Sequence, residues 1–538
     1  MLKRYRLLGK AAALTLCACL LLAGLGIGSN SALAEGEERG MVGNMYTEGY
    51  PIVKDPVTLT TVIGTSVYVT GNVSEMEMWK VMEEETGVHI EILEQIPDTD
   101  YNDKVNLMIQ GGTIPDVFLM ATGEITNKYY NSGLFAPLED LIEEWSPSYK
   151  RILEDPVIRA NVVANDGHIY ATPKGEIAPW LNMSDMLFIN TEWLDAVGME
   201  MPTNLDEFYD VLVAFRDKDP NGNGQQDEIP FTYNGDRVIN FMGSFGLYMD
   251  TNFSMLDGET FVFGPQREEF RTALEYLHKL YADGLLDPES LTQGVSELQA
   301  KGSGEYQLMG SFIGFWADDF TNGDGALAYD SVPPLGSAWL GSVNLPSATG
   351  MAISSQCENK EVAMRWAEYI NQTPYHAYWA NYGPESLGVM STNEDGKVVM
   401  NSDKAPDGIT FEEWTRKVTI RELIPYCILP DEVLESRVVD SAPERKLKYN
   451  EKFTDAVWPA LTPAHISYYE SEDVQQEATT ILTDLGSISR NFMAESIMNG
   501  VTDESWTAFQ DTLLKAKVDR FIEIRQQSLD HYFELVGE

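Results

Sequence analysis

Pro56-Val57-Thr58-Leu59-Thr60-Thr61-Val62-Ile63-Gly64 decides the fold class. The run is apolar, β-branched and stopped by glycine, so it reads as a buried first strand. Ser74 to Thr86 reads as a helix, with Ser74 as its cap and Glu77 three residues on. Val88-His89-Ile90-Glu91-Ile92 alternates and reads as a second strand, and Tyr101 to Gln110 as a helix stopped by Gly111-Gly112. Pro115 to Met120 reads as a third strand. Strands alternating with helices at this spacing predict an α/β fold with an open, mostly parallel sheet. Ligands of such sheets sit at the carboxyl ends of the strands, which singles out 64–68 and 120–122 as site edges.

Further along, helical periodicity dominates. Arg267 to Asp283 turns Ala273, Leu274, Leu277, Leu280 and Tyr281 to one face and meets its stop at Gly284. Lys360 to Asn371 is another helix, ended before Pro374, and Asp473 to Tyr532 is nearly all helical, broken at Asn499-Gly500. The 538 residues exceed what one core usually serves, so two lobes are expected.

The chain carries 84 acidic against 37 basic residues, a net charge of −47. A surface this negative repels nucleic acid and anionic lipid, which excludes a nucleic-acid role. Residues 1–34 run against that trend: Lys3, Arg4, Arg6 and Lys10 are their only charges, an apolar run spans Ala11 to Ile27, and Ala32-Leu33-Ala34 closes the segment. This is the order of an export signal cleaved after Ala34. Leu16-Cys17-Ala18-Cys19 offers a competing lipid-attachment reading, although Leu20 to Ile27 stays apolar beyond it. A retained anchor is the third reading, and all three place the folded part outside the cell, secreted or tethered to the outer membrane face. Past Ala34 only Cys357 and Cys427 remain, which permits a disulfide but does not require one.

Three stretches, taken in order, resemble one family. Glu84-Glu85-Thr86-Gly87-Val88 is followed by Gly111-Gly112-Thr113-Ile114-Pro115-Asp116-Val117; Ile189 to Leu194 is followed by Pro202 to Phe208; then comes Tyr281-Ala282-Asp283-Gly284-Leu285-Leu286-Asp287-Pro288. Together they are similar to the family 1 extracellular solute-binding proteins of ABC transporters, and within that family to the large sugar-binding lipoproteins of Gram-positive bacteria and the alginate-oligosaccharide-binding proteins. The resemblance implies a two-lobed periplasmic-binding-protein-like fold (type II) with discontinuous lobes that close over ligand in the cleft between them. It implies residues 57–175 plus 345–400 as one lobe and 176–344 plus 401–538 as the other, after a flexible leader over 35–56. It also implies a sugar or oligosaccharide as ligand, permease transmembrane subunits as partners, and a monomer. A surface sugar sensor or adhesin of the same fold, and a cargo other than sugar, remain the alternatives.

Asp219-Pro220-Asn221-Gly222-Asn223-Gly224-Gln225-Gln226-Asp227-Glu228 has oxygen donors at alternating positions. Asp219, Asn221 and Asn223 stand at positions 1, 3 and 5 of an EF-hand loop, Gly224 at the turn, the Gln225 carbonyl at 7 and Asp227 at 9. Position 12 is Pro230 rather than Glu, so Glu228 is the substitute carboxylate. The reading is a structural Ca²⁺ site; the plain alternative is an Asn/Gly turn with no ion.

Sugars present apolar C–H faces and many hydroxyls, so aromatic platforms beside fixed polar groups are the expected site. Trp316, which the family resemblance places at the cleft, leads the candidates, with Asp318 and Asp319 following it as hydroxyl acceptors. Trp379, Tyr382 and Glu385 resemble a family turn; Trp180, Tyr68 and Asn72 complete the ligand set, with Trp339 and Trp414 as weaker aromatics. No nucleophile elbow, His-Glu-x-x-His, phosphate loop or dinucleotide fingerprint occurs. Paired carboxylates at glycosidase spacing carry no signal among 84 acids, so no enzyme is expected.

Overall fold

The computed structural model describes residues 39–65, 69, 71–120, 123–164, 166–178, 185–304, 306–321, 323–336, 346–406, 409, 411–439, 444, 447 and 470–537. The export segment and the candidates Tyr68, Trp180 and Trp339 lie outside them. The chain divides into two compact units, Met1–Ala178 with Asn344–Asp440 and Leu535–Glu538, and Pro179–Val343 with Ser441–Glu534.

The first unit is built on a four-stranded sheet in the order Met351–Ile353, Val117–Leu119, Val57–Thr65, Val88–Pro97. Val57–Thr65 runs parallel to both of its neighbours, and Met351–Ile353 closes the edge antiparallel. Parallel neighbours need crossovers, supplied by the helices Glu77–Thr86 and Tyr101–Gln110. The strand's apolar run packs completely: Leu59, Val62 and Ile63 have no exposed surface. Gly87 is fixed twice over. It closes the Glu77–Thr86 helix at φ +75°, and a Cβ there would come 2.9 Å from Val53 Cγ2.

Three expectations change. The helix begins at Glu77 rather than Ser74, because Asn72 takes the capping role: its Oδ1 accepts from the Ser74 amide and hydroxyl and winds 73–75 into a separate 3₁₀ turn. The stretch from residue 39 to 56 is packed rather than flexible. Ile52 and Val53 are buried, Ile52 N–H donates to the Thr86 carbonyl, and the Arg365 guanidinium donates to the carbonyls of Tyr46 and Gly49. Residues 401–440, expected with the second lobe, lie in the first unit. There Cys427–Ile428 pairs parallel with Gly175–Glu176, and the Asn371 amide bridges the Pro425 carbonyl and the Cys427 N–H. Both Cys357 and Cys427 are free and buried.

The second unit's sheet runs Tyr329–Ser331, Met186–Asn190, Met309–Gly314, Ile229–Thr232. Only its last pairing is parallel, so the predominantly parallel pattern read from residues 57–120 describes the first unit alone. Helix Glu268–Ala282 buries Phe270, Ala273, Leu274, Leu277 and Leu280 as its period requires, while Tyr281 is only half-buried. The C-terminal helices are Glu472–Asn499, Asp503–Lys515 and Val518–Val536. The break at Gly500 was legible; the second break, at Lys517 with φ +65°, was not. Asp287 is buried against Lys301, whose ammonium lies 2.6 Å from its carboxylate, and Thr232 and Gln293 complete the network. This pins the segment after Gly284 to strand Ile229–Thr232.

Candidate functional site

In the second unit, strand Met309–Gly314 ends and the chain turns at Phe315-Trp316. Asp319 fastens that turn. Its Oδ2 accepts from the amides of Phe315 at 2.9 Å and Trp316 at 3.1 Å. Arg237 approaches the same oxygen at 3.7 Å while donating to Asp185 at 2.6 Å. Phe315 meets the Trp316 ring edge-on at 5.1 Å. Trp316 is thus half-buried on a rigid mount at a strand's carboxyl end, which is what a stacking platform needs. Asp319 is occupied as part of that mount; the side chain of Asp318 lies outside the described residues.

In the first unit, helix Pro374–Tyr382 carries two more candidates. Trp379 stacks on His376 at 4.8 Å, and burial holds the His376 ring at a pKa of about 4, so it stays neutral. Tyr382 is buried with the Arg421 guanidinium 5.4 Å from its ring centre, and burial raises its phenol. Glu385 is exposed on the following turn, and Asn72 is spent as a cap. Trp414 is half-buried on helix Phe411–Val418.

Sequence reading missed a polar cluster beside Tyr382. Gly64 is the next-to-last residue of the first strand, and a Cβ there would lie 2.7 Å from Asp98 Oδ1, which places Asp98 at the carboxyl ends of two parallel strands. Burial raises the Asp98 carboxyl, with Arg416 opposing, and lowers Lys174 to about 8, with Glu422 and Asp98 opposing. Lys174 donates to the Glu422 carbonyl, and the Glu422 carboxylate pairs with Arg416 at 2.7 Å and Arg421 at 3.5 Å. These residues come from segments hundreds of positions apart, so no local spacing announces them.

The 219–228 loop joins helix Leu205–Asp217 to strand Ile229–Thr232. Asp219, Gly222 and Gly224 all take positive φ, the tight winding an alternating-donor loop needs. The Asp227 carboxylate accepts from the side-chain amides of Asn221 at 3.2 Å and Asn223 at 3.0 Å, and Asp219 Oδ2 accepts from the Gly224 N–H. Glu228 Oε1 is buried without a hydrogen-bond partner, and burial followed by the charges of Asp219 and Asp227 raises its carboxyl. Among the described residues no three His, Cys, Asp or Glu side chains form a metal-holding group. The loop's donors are instead carboxylates eked out by asparagine amides and the Gln225 carbonyl, the hard-oxygen mixture that suits Ca²⁺, and an orphaned Glu228 oxygen fits a cation as its missing partner.

The chain belongs to the bacterial extracellular solute-binding protein family, whose sequence profile matches residues 73–376. It is 25% identical over 480 residues to the fructooligosaccharide ABC transporter substrate-binding protein FusA of Streptococcus pneumoniae serotype 4, covering 84% of this chain and 86% of that protein. The structure of FusA in complex with kestose matches with a TM-score of 0.74 over 88% of this chain and 99% of that one, at 25% identity. An HMO-binding, ABC-transporter-associated solute-binding protein from Bifidobacterium longum infantis gives a TM-score of 0.76 at 20% identity, over 89% of this chain and 99% of that one. The alginate-binding protein AlgQ2, solved without calcium ion, gives 0.64 at 20% identity, over 89% and 99%. The fold is therefore the two-lobed α/β fold of solute-binding proteins, and the chain is a transport binding protein rather than an enzyme. No helix among the described residues is long and apolar enough to cross a membrane.

Proposed function

We propose that this chain is the substrate-binding component of an ABC importer, capturing an oligosaccharide outside the cell as a monomer and handing it to membrane permease subunits. The observation that carries the reading is Trp316, half-buried and clamped by Asp319 at the end of a strand. FusA, similar over most of the chain, is a fructooligosaccharide-binding protein. Trp316 stacks on a sugar ring, with Trp379, Tyr382, Glu385, Tyr68, Trp180 and Asp318 as further contacts, while Asn72 stays with its turn. Residues 1–34 direct export, ending in cleavage after Ala34. The test is isothermal titration of the exported protein against neutral and acidic oligosaccharides of three to five units. Micromolar binding of one class supports the reading, and heats only with peptides or polyamines refute it.

The 219–228 loop is a structural Ca²⁺ site. Asp219, Asn221, Asn223, Asp227 and Glu228 would supply side-chain oxygens and Gln225 its carbonyl, and the cation would hold the connection into strand Ile229–Thr232 rigid. FusA, a relative, has been solved as an EF-hand mutant in complex with fructo-nystose. Equilibrium dialysis of chelated protein against ⁴⁵Ca²⁺ tests it: one bound ion per chain is expected, and none overturns it.

A further inference from the structure

Glu422 is held in a way ordinary ion pairs do not require. Its backbone is left-handed at φ +68°, a conformation that costs a residue with a side chain and persists only where the surroundings impose it. Here both sides impose it: the Glu422 N–H donates to Asn381 Oδ1 at 2.8 Å, and its carbonyl accepts from half-buried Lys174. The carboxylate spans Arg416 and Arg421 and keeps 30% of its side chain exposed, while each arginine keeps 19%. Asn381 is 1% exposed, and its Nδ2 has no hydrogen-bond partner among the described residues. A buried amide donor left unsatisfied is costly, so the network is unfinished as it stands. Strain, an orphan donor and a half-open charge pair meet at the carboxyl ends of the parallel strands, where α/β sheets bind ligands.

We propose that Glu422, flanked by Arg416 and Arg421, is the hydroxyl-reading post of the first unit, and that it selects uncharged oligosaccharides over uronic-acid oligomers. This rests on the carbohydrate reading above. A carboxylate between two guanidiniums offers acceptors and donors side by side, matched to the donor-and-acceptor pair of a sugar diol. Hydroxyls join such a network without displacing it. A uronate must instead take the guanidiniums away from Glu422 and set its own charge beside Glu422 and Asp98. The chain's net charge of −47 opposes the uronate further.

The experiment is calorimetric titration of the full protein with neutral tri- and tetrasaccharides, kestose among them, and with tri-galacturonate. Wild type, Glu422→Gln and Glu422→Gly are compared. The glycine variant accepts φ +68° without strain, so it keeps a folded, carboxylate-free control in hand. Expected are binding of a neutral sugar by wild type, at least a tenfold loss in both variants, and a rise of at least tenfold in tri-galacturonate affinity for Glu422→Gln as the guanidiniums are released. Neutral-sugar affinity within twofold of wild type in both variants overturns the post while leaving the carbohydrate reading intact. Wild type binding tri-galacturonate more tightly than any neutral sugar overturns the selectivity. Wild type binding neither class overturns both readings together.

Discussion

Removing the calcium ion proposed for the 219–228 loop is the perturbation with the clearest arithmetic. The 219–228 loop carries Asp219, Asp227 and Glu228 along with two asparagines and the Gln225 carbonyl within ten consecutive residues, a donor set between those of intracellular sensors and extracellular modules. A dissociation constant of about 10 μM suits that set, and 1 mM Ca²⁺ then stabilises the folded form by about 2.7 kcal/mol. For a unit of this size that corresponds to a rise of about 5–10 °C in melting temperature. The sign with pH follows from Glu228, whose carboxyl is raised by burial and by its acidic neighbours. Without the cation its ionised form weakens the folded state as pH rises through its folded pKa, and the cation cancels that cost. Calcium stabilisation should therefore be larger at pH 7 than at pH 4.5. Differential scanning fluorimetry in EDTA and in 1 mM Ca²⁺ at the two pH values reads both effects, with Asp227→Asn as control. A shift below 1 °C at pH 7, or an equal shift in Asp227→Asn, would refute the reasoning.

Trp316→Ala should weaken oligosaccharide binding by about 2 kcal/mol, some thirtyfold in Kd, while the melting transition of the free protein stays cooperative; calorimetry giving a Kd within twofold of wild type counts against the platform. Lys301→Met strands the Asp287 carboxylate, whose side chain is 7% exposed, and should cost about 3–5 kcal/mol in urea unfolding. Adding Asp287→Asn should recover much of that loss, and additive losses would show the pair is not coupled. Asp250 accepts from the amides of Asn252 and Ser254, yet burial raises its pKa to about 6. Because the folded pKa lies above the unfolded one, its cost is absent below pH 3.8 and fully present above about pH 6. Asp250→Asn should accordingly raise the urea midpoint at pH 7.5 relative to wild type and leave it unchanged at pH 3.5; an equal effect at both pH values would contradict the assignment.

What could be read from the sequence was what is local. Val57–Thr65, helix Tyr101–Gln110 and helix Lys360–Asn371 announce themselves by period and by stop residues, and the structure forms them where those signals fall. The 219–228 loop is equally local, since its oxygens alternate along ten consecutive residues. The packing of residues 39–56 was illegible because its polar composition conceals Ile52 and Val53, which are buried only by contact with the Glu77–Thr86 helix and its neighbours. The Glu422 cluster was illegible for a related reason. Lys174, Asn381, Arg416 and Arg421 meet through the fold and through a backbone conformation that no pattern of side chains encodes. Asn72 shows a third limit: two capping residues stood close together, and the one nearer the strand took the amide.

The sheet of the first unit has a consequence in time. Strand Val117–Leu119 receives its edge partner from Met351–Ile353, and Gly175–Glu176 waits for Cys427–Ile428. Roughly 230 residues separate the first of these pairs, about 10–50 s at ordinary rates of synthesis. During that interval the Val117–Leu119 edge offers unpaired amides and carbonyls to any passing strand. The second unit waits too, since residues 441–534 are made after everything else it contains. A ribosome stalled before residue 440 leaves two unfinished bodies rather than one finished and one missing, so the chain has no safe halfway point at which to fold.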